Sequence, residues 1–151
     1  MGIMEELVQQ IKVVLADTVA FGMKAQQYHW NVEGDDFPQH HAFFQKLYEE
    51  VNGAVDMLGE QIRTLDAYAP LSPARIAELT SIIDTDPAPE AMVMYRNLFN
   101  DNTKILSSLM EGYRLAERYS EFGLSNVIQD RITAHKGHLY MLRSVLKEEE
   151  K

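Results

Sequence analysis

The chain has 151 residues, 46% of them hydrophobic and 25% charged, with a net charge of −9 and no cysteine. That length and composition suit a single globular domain, residues 1–151, that buries roughly two-thirds of its unfolded surface around one core. The missing cysteine excludes disulfides, thiolate nucleophiles and Cys-based zinc or iron–sulfur centres, and the acidic balance disfavours phosphate backbones and leaves cations as the natural partners. The opening MGIMEELVQQ has neither the basic start nor the apolar run of a signal peptide, and no apolar stretch of 18 residues could span a bilayer, so a cytoplasmic location is expected.

From Glu5 to about Asn31, Leu7, Ile11, Val14, Leu15, Thr18 and Phe21 recur at three- and four-residue steps, which predicts an amphipathic helix of about seven turns. Gly34 is a natural stop. Asp36 with Gln39 three residues on reads as a capping box, with Pro38 tolerated in the first turn of the next helix. That second helix is expected from Phe37 to Asp66, its stripe running through Phe44, Leu47, Val51, Val55, Leu58 and Ile62, and Gly53 and Gly59 weakening it by about 1 kcal/mol each without ending it. Ser72 and Pro73 in cap and first-turn positions predict a short helix, Pro73 to Thr80, inside the connection. A third long helix starts around Ala88 to Glu90 and runs to Tyr119, Phe122 and Gly123 make a break, and a fourth runs from Ser125 to Lys147 before the solvated KEEEK terminus.

No strand-like alternation competes. Four long helices with one long middle connection predict an all-α fold, an antiparallel four-helix bundle of ferritin-like topology with a short extra helix between the second and third long helices.

Four residues carry candidate metal chemistry. Asp56 and Glu60, four apart, lie on one helix face, although acidic residues at this spacing usually just meet solvent. His29 and His41 flank the first turn, so two antiparallel helices bring their imidazoles together at one end of the pair. His41 and Asp56 lie about 22 Å apart along a helix that rises 1.5 Å per residue, with an angular offset of only about 60°. They cannot hold one ion within one chain. If all four are ligands, a second subunit across a two-fold axis must complete each site, with two identical sites per dimer. A bundle-internal di-iron site would need inward Glu-x-x-His pairs, but Glu60 is followed at that spacing by Arg63, and no other pair of this kind occurs.

At these residues the chain resembles the DNA-protection-during-starvation family, the Dps miniferritins. Their hallmark is His-Trp-Asn-Val, a Gly, a Phe, a second His, then an Asp and a Glu at set intervals, and here it reads His29, Trp30, Asn31, Val32, Gly34, Phe37, His41, Asp56 and Glu60. The resemblance implies a hollow dodecamer built from two-fold dimers, with ferroxidase sites at the dimer interfaces and a ferric mineral inside. It implies hydrogen peroxide as preferred oxidant, with oxygen second, and protection against oxidative damage. Carried over by position, His29 and His41 with Asp56 and Glu60 of the partner subunit bind iron, Fe(II) and then Fe(III), with zinc or manganese as competitors for the same donors. Trp30 sits beside the site.

Three positions depart from the family pattern. A common family Asp four residues after the second His is here Gln45, which could bond a bound water but adds no charge, so a weaker second iron position is expected. An Asp of the family's iron-entry pore is here Asn126, with Asp130 and Glu121 nearby. The family's late tryptophan is here Tyr140. His135 and His138 are read as packing residues, and His40 is turned away from His41. Two other readings fit the helices: a DNA-compacting nucleoid protein with a secondary metal site, which Glu5, Glu6 and the acidic C-terminus disfavour, and a plain helical interaction module.

Overall fold

A computed structural model describes residues 4–147, so the C-terminal residues 148–151, three glutamates and a lysine, lie outside the described residues. The helices are α1 (Glu5–Asn31), α2 (Phe37–Asn52), α3 (Val55–Thr64), α4 (Pro73–Leu79), α5 (Ala91–Arg118) and α6 (Phe122–Leu146), with no strand among the described residues. No helix among them is long and apolar enough to cross a membrane.

The apolar stripe of α1 is buried as its spacing predicts: Leu7, Ile11, Val14, Phe21 and Tyr28 have no exposed surface. It packs against α2, α3, α4 and α5, and α5 in turn packs on α6. Gly22 leaves room for the Asn52 side chain, which a Cβ there would displace. The helix expected from Phe37 to Asp66 is divided in two. Gly59 is tolerated inside α3, but at Gly53 and Ala54 the ladder tightens, with the Ala54 amide donating to the Val51 carbonyl at 3.1 Å. Both residues keep right-handed dihedrals (φ −63°, ψ −18° and φ −89°, ψ −12°), so the chain keeps its helical sense through the irregular turn. The helix then ends at Thr64, just before Asp66 turns left-handed at φ 62°.

Two caps differ in outcome. Ser72 caps α4 as expected, its hydroxyl accepting from the Arg75 amide at 3.2 Å. Asp36 precedes α2 but makes no side-chain cap bond; its φ of −99° and ψ of 27° lie outside the extended region in which a cap side chain reaches the first-turn amides. The break before the last helix comes earlier than Phe122 and Gly123. Ser120 is left-handed (φ 60°), and the Glu121 amide bonds the Ala116 carbonyl at 2.8 Å, a six-to-one closure that ends α5, so Phe122 and Gly123 already belong to α6.

The long connection is fastened to α1 by buried polar groups. Asp17, with no exposed surface, accepts from the Ser81 amide at 2.8 Å, the Thr80 hydroxyl at 2.7 Å and the Ser108 hydroxyl at 3.0 Å. Lys24 donates to the Ile83 carbonyl at 2.7 Å and to Asp101 at 2.6 Å, and the Tyr28 and Thr85 hydroxyls meet at 2.6 Å. From Asp17 to Tyr28 a helix advances about 16 Å, the reach of four to five extended residues, so the connection runs parallel to α1. It therefore climbs the length of the bundle, which leaves every neighbouring pair of long helices antiparallel. That is the ferritin-like arrangement.

Candidate metal centre

His29 lies in the last turn of α1 and His41 near the start of α2, on either side of a turn in which Gly34 adopts φ 113°. Their rings stack with centroids 3.8 Å apart and planes inclined by 17°. The hydrogen bonds are crossed: Nδ1–H of His29 donates to the His41 carbonyl at 2.7 Å, and Nδ1–H of His41 donates to the His29 carbonyl at 2.8 Å. A carbonyl can only accept, so both Nδ1 atoms carry hydrogen. In the neutral rings each Nε2 lone pair is then free for a cation, the way metal-binding histidines are commonly held.

Asp56 and Glu60 are exposed one turn apart on α3. A hydrogen bond from one carboxyl to the other, reinforced by charge repulsion from Asp56, holds Glu60 above the usual carboxylate range. A bound cation would relieve that repulsion. The structure thus brings His29 to His41 and Asp56 to Glu60, but leaves the pairs at opposite ends of the α2–α3 rod. Among the described residues no cluster of three or more His, Asp or Glu could hold an ion within one chain.

Trp30 is 66% exposed and borders a groove of about 770 Å³ between α1 and α4, with Met23, Leu71 and Ile76 in its walls. Leu71 also lines a smaller pocket of about 450 Å³ that contains Asp56 and Glu60. The Gln45 amide donates to Glu49 at 2.9 Å, so the side chain is engaged along α2 itself. Glu121 stands at the start of α6, with Asn126 and Asp130 exposed on its first turns. His40 pairs with the Tyr95 hydroxyl at 2.7 Å, apart from the stacked pair.

Two arrangements do not follow from sequence spacing. Phe37 stacks on His41 (4.9 Å, 29°), extending the pair to three stacked rings, and Tyr48 tilts against His29 (5.3 Å, 58°). The other joins α2, α5 and α6. Glu50 accepts from both terminal nitrogens of Arg131, at 2.6 and 3.1 Å, and from His138 at 2.6 Å. Arg131 also donates to Nε2 of His135 at 3.2 Å, whose Nδ1–H donates to Asn102 at 2.7 Å. The His138 hydrogen bond and Arg131 together hold the Glu50 carboxyl well below the usual range despite partial burial. Burial, aided by the Arg131 charge, pushes His135 down to about 3. His135 is therefore a packing residue, as expected, but a polar one; its place on a buried helix face was the available signal.

With this geometry in view, a family model described as ferritin-like domain matches residues 8–151. The DNA protection during starvation protein of Brevibacillus brevis is 25% identical over 149 residues, covering 95% of this chain and 100% of the relative. The crystal structure of a Dps protein from Vibrio cholerae O1, described as a member of a broad superfamily of ferritin-like diiron-carboxylate proteins, matches with a TM-score of 0.90 at 25% identity, covering 94% of this chain and 89% of that one. A Dps protein from Bacillus brevis has the same fold, with a TM-score of 0.92 at 23% identity over 97% of this chain and 98% of the other. The chain belongs to the ferritin-like domain family, as a miniferritin of the Dps type.

Proposed function

We propose that this protein oxidises Fe(II), preferably with hydrogen peroxide, at sites shared between two subunits, and keeps the Fe(III) as a mineral inside a hollow shell of twelve. The observation that carries the reading is the separation of four candidate ligands into two pairs at opposite ends of one α2–α3 rod. A two-fold partner with its α2–α3 rod antiparallel would set the imidazole pair of each subunit against Asp56 and Glu60 of the partner subunit, giving two equal sites. The exposed apolar residues between the halves support it: Met23 at 57%, Trp30 at 66% and Leu71 at 64% form a surface that a second copy would cover.

Imidazole and carboxylate are suitable donors for iron, and zinc and manganese would compete for them. The chemistry balances as two Fe(II) giving one electron each to one peroxide, whose O–O bond breaks and takes up two protons to yield two waters. Peroxide and free Fe(II) are consumed together, which protects against oxidative damage. Gln45 supplies no charge, so a second iron binds more weakly than the first. Asp130, Glu121 and Asn126 are proposed to line the entry for iron. A net charge of −9 favours cations and works against DNA, and the shell is proposed to work in the cytoplasm.

The test is anaerobic loading with Fe(II) followed by peroxide. The expected result is consumption of about two irons per peroxide, a ferric core, and a particle about twelve times the 17.3 kDa chain. A small oligomer that forms no core would sink the proposal, and a shift of DNA on a gel at low salt would favour the nucleoid reading instead.

A further inference from the structure

Two aromatic residues touch the imidazole pair, and to one of them, Phe37, neither the fold nor the proposed ligand set gives a role, while Tyr48 also packs on the core. Phe37 is the first residue of α2 and is 39% exposed, so it contributes little to the core. Nor does it fit a hydrophobic staple, which uses the residue before the cap. Its one ring contact among the described residues is His41, four residues on, at 4.9 Å and 29°. Helical side chains lean back toward the preceding turn, which carries the His41 imidazole over the Phe37 ring. At the other end Tyr48, half-buried on α2, faces His29 at 5.3 Å.

We infer that Phe37 and Tyr48 are positioning residues for the imidazole pair: their rings flank the His29–His41 stack and hold both Nε2 atoms where Fe(II) enters. The inference rests on the ferroxidase reading of that pair. An imidazole ring turns about its Cβ–Cγ bond in a broad torsional well. The crossed carbonyl bonds fix one edge of each ring. Each imidazole also has an aromatic neighbour besides the other imidazole, Phe37 stacked on His41 and Tyr48 set at an angle to His29, which narrows the swing open to it. Without Phe37 the outer face of His41 opens to water, and the Nδ1–H can exchange its carbonyl for solvent. Phe37 acts on the metal only through His41. Its loss therefore weakens capture of the ion more than the electron transfer that follows.

The experiment is a visible-absorption titration of the assembled protein with Co(II), alongside Fe(II) oxidation kinetics, for wild type, Phe37→Ala, Phe37→Leu and Phe37→Tyr. Phe37→Ala is expected to weaken Co(II) binding by about 10- to 100-fold, the usual effect of losing a group that orients a metal-binding histidine, and to raise KM for Fe(II) more than it lowers kcat. Thermal stability should barely move. Phe37→Tyr restores both parameters, and Phe37→Leu, apolar but not flat, does not. Wild-type Co(II) affinity and spectrum in Phe37→Ala, or in Phe37→Leu if the alanine variant misfolds, would overturn the inference while leaving the ferroxidase reading intact. A wild-type protein that binds no Co(II) would overturn both.

Discussion

Replacing His41 and Asp56 together with alanine is expected to slow Fe(II) oxidation by more than about 100-fold, beyond the 10- to 100-fold typical of residues that only support a ligand. Each proposed shared site would then lose one imidazole and one carboxylate, half of its four donors. The loss should come without unfolding. Asp56 is exposed, and its hydrogen bond and charge act only on the exposed Glu60 carboxyl, so removing it leaves the core untouched. His41 is half-buried in a ring stack at the end of the bundle, outside the buried hydrophobic core. Stopped-flow oxidation beside a circular-dichroism melt separates the two effects. An unchanged rate in a folded double variant would remove these residues from the chemistry.

The second large effect concerns acid. His135 titrates at about 3 in the folded chain against an ordinary value of 6.5, so below pH 6.5 the unfolded chain binds the extra proton and the folded one refuses it. Stability is therefore complete above about 6.5 and falls by about 1.4 kcal/mol per pH unit as the pH drops toward 3. Glu50 adds to the loss below its ordinary 4.5, because its carboxylate is favoured in the fold by His138 and Arg131. Denaturant melts of the metal-free protein between pH 7 and 4 should show this slope, and His135→Gln should flatten it above pH 4.5. At neutral pH, Glu50→Ala should cost about 1 to 3 kcal/mol, between an exposed and a buried pair, because Arg131 is nearly buried while Glu50 is not. It strands the Arg131 guanidinium, whose Nε already lacks a partner. A stability that stays level down to pH 4 would contradict this account of the network.

What could be read from the sequence was what depends on short spacing. The α1 stripe, the Ser72 cap and the pairing of His29 with His41 and of Asp56 with Glu60 are set by residues three to four apart or by the one turn between α1 and α2. The break at Gly53 was not legible, because Gly53 and Gly59 look alike in sequence and only one coincides with a tightened turn. Asp36 and Gln39 satisfy a capping pattern that the backbone of Asp36 does not adopt. Long-range polar contacts were also hidden. Asp17 sits on the apolar stripe of α1 and meets Ser81 across 64 residues, and Glu50 meets Arg131 across 81. Phe37 was visible as part of a motif, but its relation to His41 required the ring geometry.

The claim that each site takes its ligands from two chains is tested most directly by mixing subunits. One variant carries His29→Ala with His41→Ala, the other Asp56→Ala with Glu60→Ala, and each alone should be inactive. In a mixed dimer the intact imidazoles of one subunit meet the intact carboxylates of the other, so one of its two sites is whole. Random reassembly makes half the dimers mixed, so oxidation should return to about one quarter of the wild-type rate. If the ligands acted within one chain, every subunit in the mixture would remain defective. A mixture no more active than its inactive parents would contradict the shared site.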